Sequence, residues 1–169
     1  NLDAEIITHK ISDNNLEKGH LTWLTRPMMK SQKNDYEYFM YLEHDIKFTE
    51  KNLQYYLKYQ QKLGENKFHL GFLIYEKNHI DNLNYCIHVA KQFDKFHNIE
   101  NQKYFINDFE NYCCFWLYNK KIFNNFLNTK FWSFEKKLTN FRHNYGITER
   151  SALGLHAISC NYFKATLIP

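Results

Sequence analysis

Tyr38-Phe39-Met40-Tyr41-Leu42-Glu43-His44-Asp45-Ile46 is the stretch from which the rest of the chain is best read. From Tyr36 to Leu42 (YEYFMYL) the residues are almost wholly aromatic or aliphatic, and the run stops in three polar residues, Glu43, His44 and Asp45. A continuous apolar run of this kind predicts a strand buried on both faces, as in a parallel or mixed sheet covered by helices. In α/β sheets, ligands gather beyond the carboxyl ends of the strands, which is where Glu43 and Asp45 fall. Residues i and i+2 of an extended segment point the same way, with Cα atoms about 6.5–7 Å apart. Two carboxylates so placed repel unless a cation lies beside them, and hard oxygen ligands suit Mg²⁺ or Mn²⁺. On pattern alone, an ordinary acidic strand end is an equal alternative.

Outward from this stretch, strands and helices alternate. Ala4–His9 (AEIITH) is β-rich and is followed by a polar loop to Lys18. Gly19–Lys33 carries Leu21, Leu24 and Met28 at near-helical spacing, with Pro27 able to kink or restart the helix. After the acids, Thr49 offers an N-cap and Glu50 an anion in the first turn. Leu53, Tyr56, Leu57 and Leu63 mark one face of the helix that follows, and Gly64 is a natural stop. Phe68–Tyr75 (FHLGFLIY) and Tyr112–Tyr118 (YCCFWLY) read as further buried strands, the second followed by a helix through Phe123 and Leu127. Glu76–Lys103 has no strong period and predicts an irregular excursion outside the sheet. Ile147–His156, after Gly146, predicts a helix, and Tyr162–Ile168 a closing strand. The fold class is therefore α/β, a mixed sheet flanked by helices.

Composition narrows the function classes. The 169 residues carry a net charge of +4, 15 Phe, 13 Tyr, 3 Trp, and only 5 Gly and 2 Pro. That is one domain with ample apolar mass for a core, which excludes disordered, collagenous and low-complexity readings. Lysines outnumber arginines 19 to 3 and are scattered among 20 asparagines, whereas a nucleic-acid binder concentrates its cations on one stripe; no nucleic-acid partner is expected. No apolar run reaches the roughly 20 residues that span a bilayer. The four cysteines (Cys86, Cys113, Cys114, Cys160) lack CxxC spacing, which favours a reducing compartment. A chain that starts at Asn1 and stops just after a strand-like Ala165–Ile168 reads as part of something longer.

The segment Tyr38–Ile46 resembles the region around the acid-x-acid (DxD) motif of GT-A-type glycosyltransferases, in which a buried strand delivers two acids to the metal and diphosphate of a nucleotide sugar. Its surroundings add to the likeness: Trp23, Arg26 and Pro27 before it, then Gly71-Phe72, the aromatic Asn111–Trp116, and Glu149-Arg150-Ser151-Ala152-Leu153-Gly154-Leu155-His156. In this order they are similar to bacterial surface-polysaccharide glycosyltransferase-like proteins. The resemblance implies one GT-A-like catalytic domain over residues 1–169, in which only Ala4–His9 could supply a strand for the nucleotide base: either an N-terminally truncated portion of a longer enzyme or a minimal, inactive domain. The first acid is Glu43 rather than Asp, a departure that many members share.

What the resemblance implies for the site can be stated residue by residue. Glu43, Asp45 and His156 would bind Mn²⁺ or Mg²⁺, Glu149 would act as general base, and His20, Arg26 and Arg150 would bind the donor. If Ile147–His156 is one helix, Glu149 and His156 share a face but stand about 10.5 Å apart along it, so they serve different roles. The bland readings are a helix-stabilising carboxylate for Glu149, a satisfied core histidine for His156, and a surface helix for His20 and Arg26. Asp108 and Glu110 read as solvated loop or acceptor contacts, and His79, His88, His97 and His143 as surface. The implied reaction is transfer from a nucleotide-sugar donor to a glycan or lipid-linked acceptor in the cytoplasm, with peripheral contact at the inner face of the membrane. The alternative is a non-catalytic, degenerate relative that only binds.

Overall fold

The computed structural model describes residues 8, 10, 21–88, 92–109, 111–133, 145–157 and 160–169. Apart from Thr8, the strand predicted over Ala4–His9 lies outside them, as do His20, Glu110 and His143.

The fold is organised by β7 (Phe115–Asn119), whose side chains alternate between two cores. Phe115 and Leu117 enter one with Tyr56, Leu63, Leu70, Tyr104 and Leu167. Trp116 and Tyr118 enter the other with Phe39, Tyr41, Phe123, Phe126 and Trp132. β1 (Tyr38–Leu42) pairs antiparallel with β7, Tyr38 opposite Asn119 and Leu42 opposite Phe115. The strand buried on both faces is thus β7, a correction to the expectation for Tyr36–Leu42. β1 has a neighbour on one side only among the described residues, and it alternates: Phe39 and Tyr41 are buried, Tyr38 and Leu42 exposed. The strand predicted from Tyr112 starts at Phe115 because Cys114 adopts a left-handed backbone (φ 58°), which no strand continues through.

A second, mixed sheet runs β2 (His69–Leu70), β8 (Thr166–Ile168), β6 (Gln102–Asn107), β5 (Phe96–Ile99), with β2 parallel to β8 and the other pairs antiparallel. The strand predicted over Phe68–Tyr75 is split at Gly71. That residue lies so close to β8 that a Cβ there would stand 2.7 Å from Ile168 Cγ1 and 2.8 Å from Thr166 Cγ2. Beyond it, β3 (Ile74–Lys77) turns back into β4 (Asn84–Ile87) as a separate hairpin. The expectation that Glu76–Lys103 is irregular is therefore wrong, because it contains β4, β5 and the start of β6. Each strand is only four to six residues long, and only Ile99 and Tyr104 reach the core with Asn107, too few to register as a period.

Four helices cover these sheets among the described residues. α1 (Thr25–Ser31) follows a 3-10 turn at Leu21–Trp23 and holds Pro27 in its first turn, where a missing N–H costs nothing. α2 (Glu50–Glu65) starts at Thr49, whose N–H donates to Asn52 Oδ1 at 2.8 Å. Its buried stripe is Tyr56, Gln60 and Leu63, while Leu53 and Leu57 are exposed. Gln60 belongs there because its Oε1 accepts from Leu70 N at 3.0 Å. The left-handed residue that closes α2 is Lys67 (φ 61°), not Gly64. Lys67 N donates to Gly64 O and Phe68 N to Leu63 O, the Schellman pattern. α3 (Lys120–Leu127) is capped by Asn119 Oδ1 on Ile122 N.

The helix predicted over Ile147–His156 is a single turn, α4 (Glu149–Ala152), with Leu153 already extended. Ser151 to Ala157 are all buried, and beyond Leu153 the chain closes a turn in which Ala157 N donates to Gly154 O at 3.1 Å. The strand predicted over Tyr162–Ile168 contracts to β8. No helix among the described residues is long and apolar enough to cross a membrane.

Candidate functional site

The site begins where β1 ends. Glu43 N donates to Cys114 O at 3.1 Å, one rung beyond the β1–β7 ladder, so the strained backbone of Cys114 fixes where Glu43 leaves the sheet. The chain then turns, with Ile46 N donating to Glu43 O. Glu43-His44-Asp45 is a turn rather than an extended triplet. The two carboxylates are neighbours because of that turn, not because of strand alternation.

Tyr112 OH donates to Glu43 Oε1 at 2.7 Å. The Tyr112 ring is stacked on Tyr145 (5.3 Å, 24°), and His88 meets it edge-on at 5.2 Å. Burial raises the Glu43 pKa above the usual carboxylate range, and the charges of Asp45 and Glu149 push it the same way; hydrogen bonds from Tyr112 and Cys114 oppose them. Burial, with Glu43 beside it, lifts the Cys114 thiol to about 12, so at neutral pH it is a protonated donor rather than a nucleophile.

Glu149 reaches this group from α4. Its Oε2 accepts from Thr148 Oγ1 at 3.1 Å and lies over Gly146, where a Cβ would come within 2.3 Å of it. A side chain at position 146 would push that carboxylate aside. Glu43 thus feels the charges of Asp45 and of Glu149, the latter 106 positions away in sequence. Among the described residues no three His, Cys, Asp or Glu stand close enough to hold a metal ion by themselves. Arg150 is half-buried beside this group, its Nε donating to Tyr145 O at 3.0 Å.

Two expected site residues belong to the core instead. Arg26 is buried, donating to the carbonyls of Phe131 (2.9 Å), Trp132 and Ser151 (3.0 Å), with its guanidinium 4.1 Å over Trp23 and 5.0 Å over Trp132. It is a structural cation, not a donor-binding one. The helix that carries it faces the core because Trp23 and Arg26, three apart, form its buried edge. His156 is also buried: its ring stacks on His69 at 4.8 Å and its Nδ1 lies 3.1 Å from Tyr118 OH. Burial lowers its pKa to about 4. The turn from Gly154 to Ala157 after α4 places it in the core, stacked on His69, rather than beside Glu43 and Asp45. His20 lies outside the described residues.

Of the weaker candidates, Asp108 pairs with Lys95 at 2.6 Å, His97 packs on Phe68, and His79 is exposed. Sequence reading missed Tyr112 as a partner of Glu43 and His88 as a neighbour of the Tyr112 ring. Tyr112 looked like one more core aromatic, and nothing local ties either residue to position 43. Comparison with protein-family models, curated proteins and solved structures finds no match, and what the site can do follows from its own residues.

Proposed function

We propose that this chain transfers a sugar from a nucleotide-sugar donor to a glycan or lipid-linked acceptor, with Glu43 and Asp45 facing a divalent cation and the donor diphosphate. One observation carries the reading: at the end of β1, Glu43 feels the charges of Asp45 and of the sequence-distant Glu149, with Tyr112 fixing one of its oxygens. Such repulsion is relieved by a cation. The donor set is all hard oxygen, which suits Mn²⁺ or Mg²⁺. Without three donors of its own close enough, it fits an ion shared with phosphate oxygens rather than a protein-only cage. A bound cation would neutralise charge developing on the departing diphosphate.

The chain's own residues do the rest. Tyr112 orients Glu43 by occupying Oε1. Glu149, partly exposed and held through Thr148, is placed to take a proton from an acceptor hydroxyl; an inverting outcome follows from that assignment. Arg150, anchored on Tyr145 O, supplies positive charge at the same edge. The GT-A resemblance of Tyr38–Ile46 points the same way.

Calorimetry with Mn²⁺ and UDP or GDP tests the binding half. Binding that Asp45→Asn abolishes supports the reading, and binding that survives Asp45→Asn removes it. Turnover of UDP- and GDP-sugars tests the rest: Glu149→Gln should bind donor normally but turn over about 10²–10⁴-fold more slowly. Donor binding with no transfer in the unmodified chain would favour a binding domain over an enzyme.

A further inference from the structure

The carboxylate group has a feature that neither its acids nor their neighbours explain: what sets the separation of Glu43 and Glu149. Tyr41 lies two residues before Glu43 on β1, and Ser151 lies two residues after Glu149 on α4. Both are buried, Ser151 completely. The Ser151 hydroxyl is 2.8 Å from Tyr41 OH and 2.5 Å from Thr148 O. The Ser151 carbonyl accepts from Arg26 Nη2 at 3.0 Å and from Trp116 Nε1 at 3.1 Å. The Tyr41 ring stacks on the same Trp116 (6.2 Å, 23°).

α4 is one turn long, so its own hydrogen bonds cannot keep it in place. Its attachment is this node, in which one serine is bound by side chains from β1, β7 and α1. We propose that Tyr41 and Ser151 are positioning residues, a buried crossbar that holds α4 against β1 and thereby sets the Glu43–Glu149 spacing on which transfer depends. The proposal rests on the transfer reading for its catalytic consequence, but the mechanical link stands or falls by itself.

Tyr41→Phe removes only the crossbar's hydroxyl. The ring keeps its stack on Trp116 and the Ser151 hydroxyl keeps the Thr148 carbonyl; Thr22, the other hydroxyl beside Tyr41 OH, lies outside α4, and the variant should fold. Amide hydrogen exchange reads the link directly. In α4, Arg150 N donates to Gly146 O, Ser151 N to Thr148 O and Leu153 N to Arg150 O. These three amides should exchange about three- to ten-fold faster in Tyr41→Phe, the range expected for one lost hydrogen bond. Tyr55→Phe, which removes a hydroxyl bound to Gly71 O on the far side of the fold, should leave them unchanged. In the Ser151→Ala background, Tyr41→Phe should add no further acceleration, because the bond is already gone.

Unchanged α4 exchange in Tyr41→Phe overturns the proposal whatever the activity, and so does equal acceleration in Tyr55→Phe. Where sugar transfer is measured, Tyr41→Phe should lower kcat about ten-fold or more while the donor KM stays constant, since a displaced base harms turnover and not binding. A raised KM at constant kcat overturns the positioning role. Accelerated exchange in a chain that transfers no sugar would uphold the link and remove the transferase reading.

Discussion

Replacing Arg26 by methionine separates a structural cation from a ligand-binding one. The guanidinium satisfies three backbone carbonyls: Phe131, Trp132 and Ser151. Ser151 O would keep Trp116 Nε1, so two buried carbonyls lose this donor. At about 1–3 kcal/mol for each carbonyl left unmet, the loss is about 2–6 kcal/mol. Contacts with the faces of Trp23, Phe126 and Trp132 add about 0.5–1 kcal/mol apiece. Against this, methionine no longer has to bury a charge, and its volume nearly fills the space, so the cavity term is small. The expected net loss is about 3–5 kcal/mol, in line with breaking other buried charge networks. Urea unfolding followed by Trp fluorescence reads it. With a slope near 2 kcal/mol/M, the midpoint should fall by about 1.5–2.5 M at an unchanged slope. Mn²⁺–nucleotide affinity measured well below that midpoint should be unchanged. A loss under about 1 kcal/mol together with weakened nucleotide binding would refute this and return Arg26 to the donor site.

Further expectations follow from the same packing. Gly154→Ala would put a Cβ 2.1 Å from Tyr118 OH, with Trp116 Cβ 3.1 Å away, and should cost about 2–4 kcal/mol in thermal or urea unfolding. His156 has a folded pKa near 4 against about 6.5 unfolded, so the unfolded chain binds the proton first. Its contribution is complete above pH 6.5 and is lost as pH falls towards 4; the sum is about 3 kcal/mol, readable as a falling urea midpoint that His156→Gln makes shallower while the buried His69 still contributes. Burial raises the Glu43 pKa, so Glu43→Gln should leave the fold at pH 7 at least as stable while abolishing Mn²⁺–nucleotide binding; destabilisation would show that the carboxylate is structural.

Local sequence determined the features that depend on neighbours three or four residues away. The cap at Thr49, the length of α2, the apolar run into β1 and its abrupt end at Glu43 are all of this kind, because capping and strand-forming preferences act over one turn or one strand. The acids at 43 and 45 could be singled out for the same reason, as a polar break after an apolar run, whereas Glu149 is singled out only by the family resemblance. Tertiary structure decided what each polar residue faces. Arg26 and Arg150 look alike in sequence, yet one is enclosed by Trp23, Phe126 and Trp132 while the other reaches Tyr145 at the site edge. His156 would have shared a helix face with Glu149; the helix instead ends at Ala152, and the turn that follows places the His156 ring on His69. Tyr112 meets Glu43 only because β1 and β7 pair in a register that brings Leu42 opposite Phe115. A pairing between residues 69 positions apart leaves no mark on the spacing around either one, since it is chosen by the cores on both sides of β7 and not by either segment alone.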